Sequence, residues 1–236
     1  MVLAAGLGLR MRPRTLDRPK PLLTVSGRTL IDHVLDRFYE AGIETVVVNS
    51  HYKGDMIADH LAQRTQPRIQ LSPEETLLDT GGGVRRALSL LGRNPFIVAN
   101  ADNIWLNGPV PALERMMRRW DPDQMDALML LAPTVATVGY SGKGDFLMAP
   151  DGQLTRRAET DVAPFVYAGV QIMRPELFDD APEGPFSANL LWDRALEAGR
   201  LFGVRHDGPW YHIGTPDALD DTNRRLDPRN ARWAVQ

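Results

Sequence analysis

The residues best suited to chemistry lie directly behind the apolar run at residues 1–5. Two glycines and two cations follow this run: Gly6, Gly8, Arg10 and Lys20. A glycine pair after a strand lets the backbone approach a phosphate chain and point N–H groups at it. Arginine and lysine side chains can neutralise the phosphate charge. The segment therefore predicts an anion site, and a tight turn is the alternative for the glycine pair taken alone.

This segment differs from two common phosphate-binding fingerprints. A third glycine is missing and Pro13 blocks an immediate helix, so it is not the dinucleotide fingerprint; nor does Gly-Lys-Ser/Thr follow, as in a P-loop. Five basic residues crowd eleven positions of a chain whose net charge is −3: Arg10, Arg12, Arg14, Arg18 and Lys20. A local cluster in a mildly acidic chain favours a small polyanion over nucleic acid, with a solvated basic loop as the alternative.

Composition narrows the class of protein. The chain has 236 residues and no cysteine, which excludes disulfides, thiolate chemistry and cysteine-ligated metals. No apolar run reaches the roughly 18 residues of a membrane helix. The apolar start lacks a basic leader, so it predicts a buried strand and not a signal peptide. Together with the absence of cysteine, this favours a cytoplasmic location. The shortness of this strand leaves open whether residues are missing upstream.

Hydrophobic spacing predicts an α/β fold in one domain. In the first half, predicted strands at residues 1–5, 43–48, 68–71 and 95–99 alternate with helices at 30–38, 55–64 and 83–91, which is typical of a parallel sheet covered on both faces. The second half predicts strands at 127–131 and 165–173, a hairpin at 145–154, a helix at 189–198 and a last helix capped by Thr215. We expect this domain to have a first half (1–110), a second half (111–228) and a loose tail (229–236).

The phosphate segment as a whole resembles a known family. Leu-Ala-Ala-Gly-x-Gly-x-Arg from Leu3, with Pro13-x-Thr15 and then Lys-Pro-Leu from Lys20, is similar to the hallmark of sugar nucleotidyltransferases, and the match extends over nearly the whole chain. The resemblance implies a Rossmann-like nucleotidyltransferase fold with a mixed, mostly parallel sheet. It also implies that the nucleoside triphosphate lies on one group of residues: Leu3, Ala5, Gly6 and Gly8. Arg10 and Lys20 are implied as catalytic residues that stabilise charge during attack on the α-phosphate.

A second glycine-rich segment, residues 79–84, precedes the predicted helix at 83–91. Three glycines would permit close contact with a flat ring, with free N–H groups at the helix start; a flexible turn is the alternative. The family places the nucleobase here, which implies that Gly82 and Gly83 bind nucleotide. The Thr-Gly-Gly-Gly form resembles a narrower branch, the N-acetylmuramate-1-phosphate uridylyltransferases of cell-wall recycling.

The strand at 95–99 leads into Asn100 and Asp102. Ligands of α/β proteins lie at the carboxyl ends of parallel strands, and a carboxylate there can hold Mg²⁺ against phosphates. We therefore expect Asn100 in the nucleotide site and Asp102 as the metal ligand, with a turn or cap role for Asp102 as the alternative. Ala101 stands where the family usually has glycine.

His212 departs from the family pattern near the C-terminus. It stands where the family has a second metal-binding carboxylate, and imidazole is a poor ligand for Mg²⁺. Three accounts remain: the metal depends on Asp102, phosphates and water; His212 hydrogen-bonds the phosphates; or Mn²⁺ serves instead. A histidine satisfied by a neighbour is the alternative. Asn189 is a further candidate for the metal or phosphate region.

The sugar side is expected in the second half. The Gly-Lys-Gly-Asp-Phe string resembles a segment that related uridylyltransferases place near the sugar, which implies three residues: Lys143, Gly144 and Asp145. Glu159 could accept hydrogen bonds from hydroxyls, and Gly169 would let a ligand approach its strand closely. A hairpin turn, an exposed acid and a core strand are the respective alternatives.

The predicted activity is transfer of UMP from UTP to a sugar 1-phosphate, most simply N-acetylmuramate 1-phosphate, with Mg²⁺ or Mn²⁺ as cofactor. Two alternatives stay open: a guanylyltransferase acting on mannose or heptose 1-phosphate, and an inactive regulatory subunit that binds nucleotide sugars. We expect no nucleic-acid or membrane partner. The sequence does not predict the oligomeric state, and a monomer is the simplest expectation.

Overall fold

The computed structural model describes residues 1–227. Strands and helices alternate along much of this part of the chain. The strands are β1 (Val2–Leu3), β2 (Thr24–Val25), β3 (Arg28–Thr29), β4 (Thr45–Ser50), β5 (Arg68–Pro73), β6 (Phe96–Asn100), β7 (Asn103–Trp105), β8 (Ala127–Pro133), β9 (Thr137–Val138), β10 (Phe146–Met148), β11 (Leu154–Arg156), β12 (Phe165–Met173), β13 (Leu201–Arg205) and β14 (Trp210–His212). The helices are α1 (Leu30–Glu40), α2 (Gly54–Ala62), α3 (Asp79–Leu91), α4 (Ala112–Arg119), α5 (Asn189–Glu197) and α6 (Pro216–Arg225). Residue 228 and the predicted tail at 229–236 lie outside the described residues.

A mixed sheet forms the centre of the molecule. Its strands lie in the order β13, β8, β12, β6, β1, β4 and β5, and β10 with β11 extends it from the first residue of β12. Within this order every strand is parallel to the others except β12, which is antiparallel to both of its neighbours. The predicted mixed, mostly parallel sheet is therefore confirmed.

Helices cover both faces of this sheet. Val46 and Val48 of β4 belong to one core cluster together with residues of α1, α2 and α4, whereas Val47 belongs to a second cluster together with residues of α3 and α5. Successive side chains of a strand point to opposite faces, so an unbroken valine run supplies both cores at once. For this reason the buried strands in the first half of the sequence are short, continuous apolar runs.

Several local predictions are confirmed in detail. Thr215 caps α6 by accepting a hydrogen bond from the backbone N–H of Ala218, with Pro216 in the first turn as expected. The hairpin at residues 145–154 is the antiparallel pair β10 and β11, with its turn at Asp151 and Gly152. Strand β12 spans the predicted residues 165–173.

Two features differ from the sequence expectation. Helix α3 begins at Asp79, so the three glycines lie in its first turns and not in a loop before it. A small sheet of β7, β14 and β9 was not predicted, because its strands have only two or three residues each. This sheet pairs Asn103 with His212, which brings the end of the first half against the C-terminal part of the chain.

Polar residues follow or end several parallel strands, and they lie together at the carboxyl edge of the sheet. Leu3 of β1 lies beside Asn49 of β4 and Asn100 of β6. Because β12 runs in the opposite direction, the residues before its Val170 lie at this same edge. Gly169 has φ +77° where the β12 pairing shifts, and a Cβ there would collide with the Asn103 side chain.

Candidate active site

A cleft of about 740 Å³ opens at this edge of the sheet. Its walls come from the segment after β1, the end of β4, the segment after β6 and the start of α3. Most of the residues predicted to bind nucleotide, together with both predicted catalytic residues and the predicted metal ligand, line it: Leu3, Ala5, Gly6, Gly8, Arg10, Lys20, Asn100 and Asp102. The tertiary structure thus brings these residues together, as expected for ligands of an α/β fold.

The first wall of the cleft is the loop after β1. Gly8 has φ +63°, and a Cβ there would lie 3.1 Å from Cγ2 of Thr15 and 3.3 Å from Cβ of Lys20. The buried Thr15 hydroxyl donates to the Gly8 carbonyl at 2.9 Å. Glycine is needed at this position because the left-handed backbone and the close neighbours both disfavour a side chain.

Lys20 and Asp102 meet on the wall of the cleft. The Lys20 Nζ lies 2.6 Å from Oδ2 of Asp102, with the lysine side chain 11% and the aspartate side chain 34% exposed. A largely buried ammonium needs a partner, and Asp102 supplies the opposite charge. The pair therefore sets a positive and a negative group side by side on the wall of the cleft.

His212 lies beside this pair. Burial lowers the pKa of His212, opposed by the Asp102 carboxylate and reinforced by Lys20 and Arg10, so the ring is neutral at pH 7. A Cβ on Gly214 would stand 2.7 Å from the His212 Nε2 and 3.7 Å from a guanidinium nitrogen of Arg10. His212 therefore lies next to cleft residues without lining the cleft itself, and its role stays a prediction.

Two other arginines of the N-terminal basic cluster pair with acidic residues. Arg14 forms an ion pair at 3.1 Å with Asp220 of α6, and Arg18 approaches its neighbour Asp17 at 3.6 Å. Neither arginine lines the cleft. Of the four arginines in this basic stretch, only Arg10 is among the described residues that line the cleft.

The wall formed by the start of α3 corrects the sequence interpretation. Asp79 and Thr80 line the cleft, but Gly82 and Gly83 do not. The N–H groups of Gly81 and Gly82 both donate to the Phe186 carbonyl, and a Cβ at Gly82 would collide with the Gly184 carbonyl. The triple glycine lets α3 pack tightly against the segment at residues 184–186, and the predicted free N–H groups facing a base are wrong for Gly82.

Asn49 is a cleft residue that sequence reasoning missed. Its side chain, 2% exposed, accepts a hydrogen bond from the Ala4 N–H at 2.8 Å and donates to Glu74 Oε1 at 2.7 Å. A signal existed, since Asn49 follows the valine run of β4 and so falls at the carboxyl edge. Its partner Glu74, in the segment between β5 and α3, has no such signal.

The predicted sugar-side residues lie beyond the cleft, around the start of β12. Asp145 accepts a hydrogen bond from the Tyr167 N–H at 2.9 Å, so it holds the strand backbone. Lys143 and Glu159 are exposed, and no described side chain pairs with Lys143. Of the predicted group, Gly169 comes nearest to the nucleotide residues, because a Cβ there would lie 3.1 Å from the Asn100 side-chain nitrogen.

Tyr140 connects this region to the cleft. Its hydroxyl accepts a hydrogen bond from the Gly144 N–H at 3.0 Å, and its ring packs edge-on against the His212 ring with centroids 6.0 Å apart. The Lys143–Gly144 turn is thereby tied to the residues around Asp102. The two predicted regions are neighbours even though the cleft itself ends short of Lys143.

Asn189 does not join the cleft. It stands at the start of α5, where its side chain donates to the Ser187 hydroxyl at 3.1 Å and accepts from Arg156 at 3.3 Å. It is not among the residues lining the site. Asn189 thus lies outside the cleft, bonded to Ser187 and Arg156, and its assignment to the metal or phosphate region stays a prediction.

The donor set allows one type of metal site. Within residues 1–227, no group of three histidine or acidic side chains converges as a ready metal cage. Asp102 alone offers a carboxylate beside Lys20, and Mg²⁺ commonly binds through one or two carboxylates, substrate phosphates and water. In the same residues no helix is long and apolar enough to span a membrane.

Comparison with known proteins identifies the class to which this fold and cleft belong. Residues 1–144 match the model of the MobA-like NTP transferase domain. The chain belongs to the MobA-like NTP transferase family. Within that class it is 46% identical, over 96% of both chains, to the N-acetylmuramate α-1-phosphate uridylyltransferase of Caulobacter vibrioides. It is 35% identical to the enzyme of the same name from Neisseria meningitidis, over 91% of this chain and 92% of the other.

Solved structures agree on the fold. HddC from Yersinia pseudotuberculosis, complexed with GMP-PN, superposes with a TM-score of 0.78 over 96% of this chain and 98% of its own, at 20% identity. UDP-glucose pyrophosphorylase complexed with UDP-glucose gives 0.76 over 95% and 96%, at 16% identity. The predicted Rossmann-like nucleotidyltransferase fold is confirmed, and so is the resemblance to sugar-1-phosphate nucleotidyltransferases.

Proposed function

We propose that this chain transfers UMP from UTP to N-acetylmuramate 1-phosphate, forming the UDP-sugar and pyrophosphate. The observation that carries the proposal is the cleft at the carboxyl edge, where Arg10 and the Lys20–Asp102 pair face the glycine loop. The choice of uridylyl transfer and of an acidic amino sugar rests on the relative from Caulobacter vibrioides, which matches over almost the full length of both chains.

The proposed step is a single in-line displacement. An oxygen of the sugar phosphate attacks the α-phosphorus of UTP, the bond from that phosphorus to the bridging oxygen breaks, and pyrophosphate leaves with the electron pair. The attacking phosphate is already ionised at neutral pH, so the step needs no general base. The catalytic residues Arg10 and Lys20, with the N–H groups of the loop at Gly6 and Gly8, supply fixed positive charge for the transition state.

A divalent cation fits the donors of this cleft. Asp102 would hold Mg²⁺ together with phosphate oxygens and water, because its carboxylate is one-third exposed and the ammonium of Lys20 holds its position. Bound there, the ion would neutralise charge on the triphosphate. The neutral ring of His212 can donate to or accept from a phosphate or a bound water, and it also leaves Mn²⁺ as a possible ion.

The sugar is proposed to lie between Gly169 and the turn that carries Lys143. Lys143 and the backbone of Gly144 suit an acidic sugar, and Glu159 is available for hydroxyl groups. Asp145 supports this wall by holding the Tyr167 N–H. We propose residues 1–110 as the nucleotide half and 111–228 as the sugar half of a single domain that works in the cytoplasm, where UTP is made and consumed.

Pyrophosphate release tests the proposal. UTP and GTP, each with Mg²⁺, are incubated with the 1-phosphates of N-acetylmuramate, N-acetylglucosamine, glucose and mannose. We expect release with UTP and N-acetylmuramate 1-phosphate. Release with GTP and mannose 1-phosphate would keep the reaction type and overturn the nucleotide and sugar assignments. Silence across the panel with both Mg²⁺ and Mn²⁺, despite nucleotide binding, would favour an inactive binding subunit.

A further inference from the structure

A buried hydrogen-bonded chain connects the two walls of the nucleotide cleft. On one side, the Ala4 N–H, at the start of the glycine loop, donates to Oδ1 of Asn49 at 2.8 Å. Asn49 Nδ2 donates to Oε1 of Glu74 at 2.7 Å. On the other side, Oε2 of Glu74 accepts from the Leu78 N–H at 3.0 Å, one residue before α3 begins.

This chain is enclosed by protein. Asn49 is 2% and Glu74 5% exposed, and among residues 1–227 no cation pairs with the Glu74 carboxylate. A buried carboxylate is costly unless donors satisfy it, and here each of its oxygens accepts one hydrogen bond from a different element. The backbone of Glu74 is held as well, because its N–H donates to the Ser50 carbonyl at 2.8 Å.

The third glycine of the triple-glycine segment belongs to this arrangement. A Cβ on Gly83 would lie 2.7 Å from Oε1 of Glu74 and 2.8 Å from Nδ2 of Asn49. These two atoms form the hydrogen bond between Asn49 and Glu74, so a side chain at residue 83 would force them apart. The requirement for glycine at this position follows from the pair and not from contact with a ligand, since Gly83 does not line the cleft.

We propose that Asn49 and Glu74 are positioning residues that hold the phosphate wall and the α3 wall of the cleft at a fixed separation. A nucleotide that places its phosphates on the glycine loop and its base near Asp79 and Thr80 must touch both walls at once. The inference rests on the proposed function only in the choice of UTP as the nucleotide. Loss of the connection should weaken binding of the nucleotide, while binding of the sugar phosphate stays the same.

The test reverses the direction of the central hydrogen bond. In Asn49→Asp, two carboxylates face each other; in Glu74→Gln, an amide nitrogen must face either the Leu78 N–H or the Asn49 amide. In the double variant, the carboxylate now at position 49 accepts from the Ala4 N–H and from the amide now at position 74. The oxygen of that amide accepts from the Leu78 N–H, so every partner is satisfied again. Asn223→Asp is the matched control, because Asn223 also bridges two segments but lies on α6 away from the cleft.

We expect each single variant to raise the KM for UTP, or the Kd for UTP in calorimetry, about tenfold, with less than a twofold change in the KM for sugar phosphate. The double variant should return to within about threefold of the unmodified chain, which is the coupling expected of a direct pair. Gly83→Ala should behave like the single variants, and Asn223→Asp like the unmodified chain. A double variant as weak as the singles combined would overturn the proposal.

Amide hydrogen exchange keeps the test independent of the reaction. Asn49→Asp should speed exchange at the distant Leu78 amide as well as at Ala4, and Glu74→Gln should do the same at Ala4 as well as at Leu78. The double variant should restore protection at both amides. If each variant changes only its own neighbour, the walls are not coupled and the proposal fails, whether or not the chain releases pyrophosphate from UTP.

Discussion

The nucleotide side and the proposed sugar side of this molecule are built differently. Asn49, Glu74 and Lys20 are buried, and each is bonded to a group on a separate segment of the chain. Lys143 and Glu159, in contrast, have exposed side chains. Hydrogen bonds in this region join loop residues to nearby backbone carbonyls, as when Arg157 donates to the carbonyls of Gly144 and Glu159. One side is a rigid wall and the other a set of surface turns.

The difference matches what each of the two proposed substrates requires of its binding region. The charge that develops at the α-phosphorus is the same for every sugar, so fixed groups that need no reorganisation are an advantage there. Selection among sugars depends on substituents that vary, and loops on a rigid scaffold carry such variation well. We therefore expect substitutions on the nucleotide side to lower turnover and those on the sugar side to change the KM of one substrate.

Lys20→Ala should have the largest effect and would test the comparison most directly. It removes the ammonium from the phosphate wall, so kcat should fall by about 10²- to 10³-fold. Steady-state kinetics measure this, and circular dichroism with thermal melting shows that the fold persists. Lys53→Ala is the control, because Lys53 is another of the three lysines in the chain and lies outside the cleft. A Lys20→Ala variant with normal turnover would remove Lys20 from the mechanism.

Asp102→Asn should follow, with kcat lowered about 10²-fold and a higher concentration of Mg²⁺ needed for half-maximal rate. The amide keeps the shape but loses the charge that binds Lys20 and would hold the ion. Titration of the rate with Mg²⁺ is the measurement. The same change in the other region, Asp145→Asn, should lower Tm slightly and leave kcat nearly unchanged, because the amide oxygen can still accept from the Tyr167 N–H but without the carboxylate charge. Equal losses of kcat in both variants would contradict the contrast drawn between the regions.

Lys143→Ala should change the sugar side alone. Loss of an exposed cation near an acidic sugar should raise the KM for N-acetylmuramate 1-phosphate about three- to tenfold, with kcat and the KM for UTP nearly unchanged. N-acetylglucosamine 1-phosphate, which lacks the carboxylate, serves as the comparison substrate and should show no such rise. An equal change in KM for both sugar phosphates would mean that Lys143 does not interact with the carboxylate of N-acetylmuramate.

His212→Asp should have the smallest effect, at the junction of the two regions. A carboxylate beside Asp102 offers Mg²⁺ a second oxygen ligand, so the ratio of rates with Mg²⁺ and Mn²⁺ should shift about threefold toward Mg²⁺. Parallel assays with each ion give that ratio. If neither the ratio nor the rate changes, His212 has no role at the ion.

The sequence was most informative where local rules act alone. The Thr215 cap, the β12 strand and the α1 stripe of Ile31, Val34 and Phe38 all follow from short-range spacing, and each is observed. It was least informative at α3, where helix propensity argues against three glycines in the first turns. There the tight packing against residues 184–186 outweighs propensity, and no local pattern reports that packing.

In the candidate site, too, some features follow from local sequence and others only from tertiary packing. The types and spacing of Gly6, Gly8, Arg10 and Lys20 predict a phosphate-binding segment without any knowledge of the fold, because glycine conformation and side-chain charge are properties of the residues themselves. Only the tertiary structure decided three further matters. It joined Asp102 to Lys20, it excluded Asn189 from the cleft, and it placed Glu74 behind Asn49. The reason is that these contacts join segments tens of residues apart, and their distances depend on how the strands are ordered in the sheet.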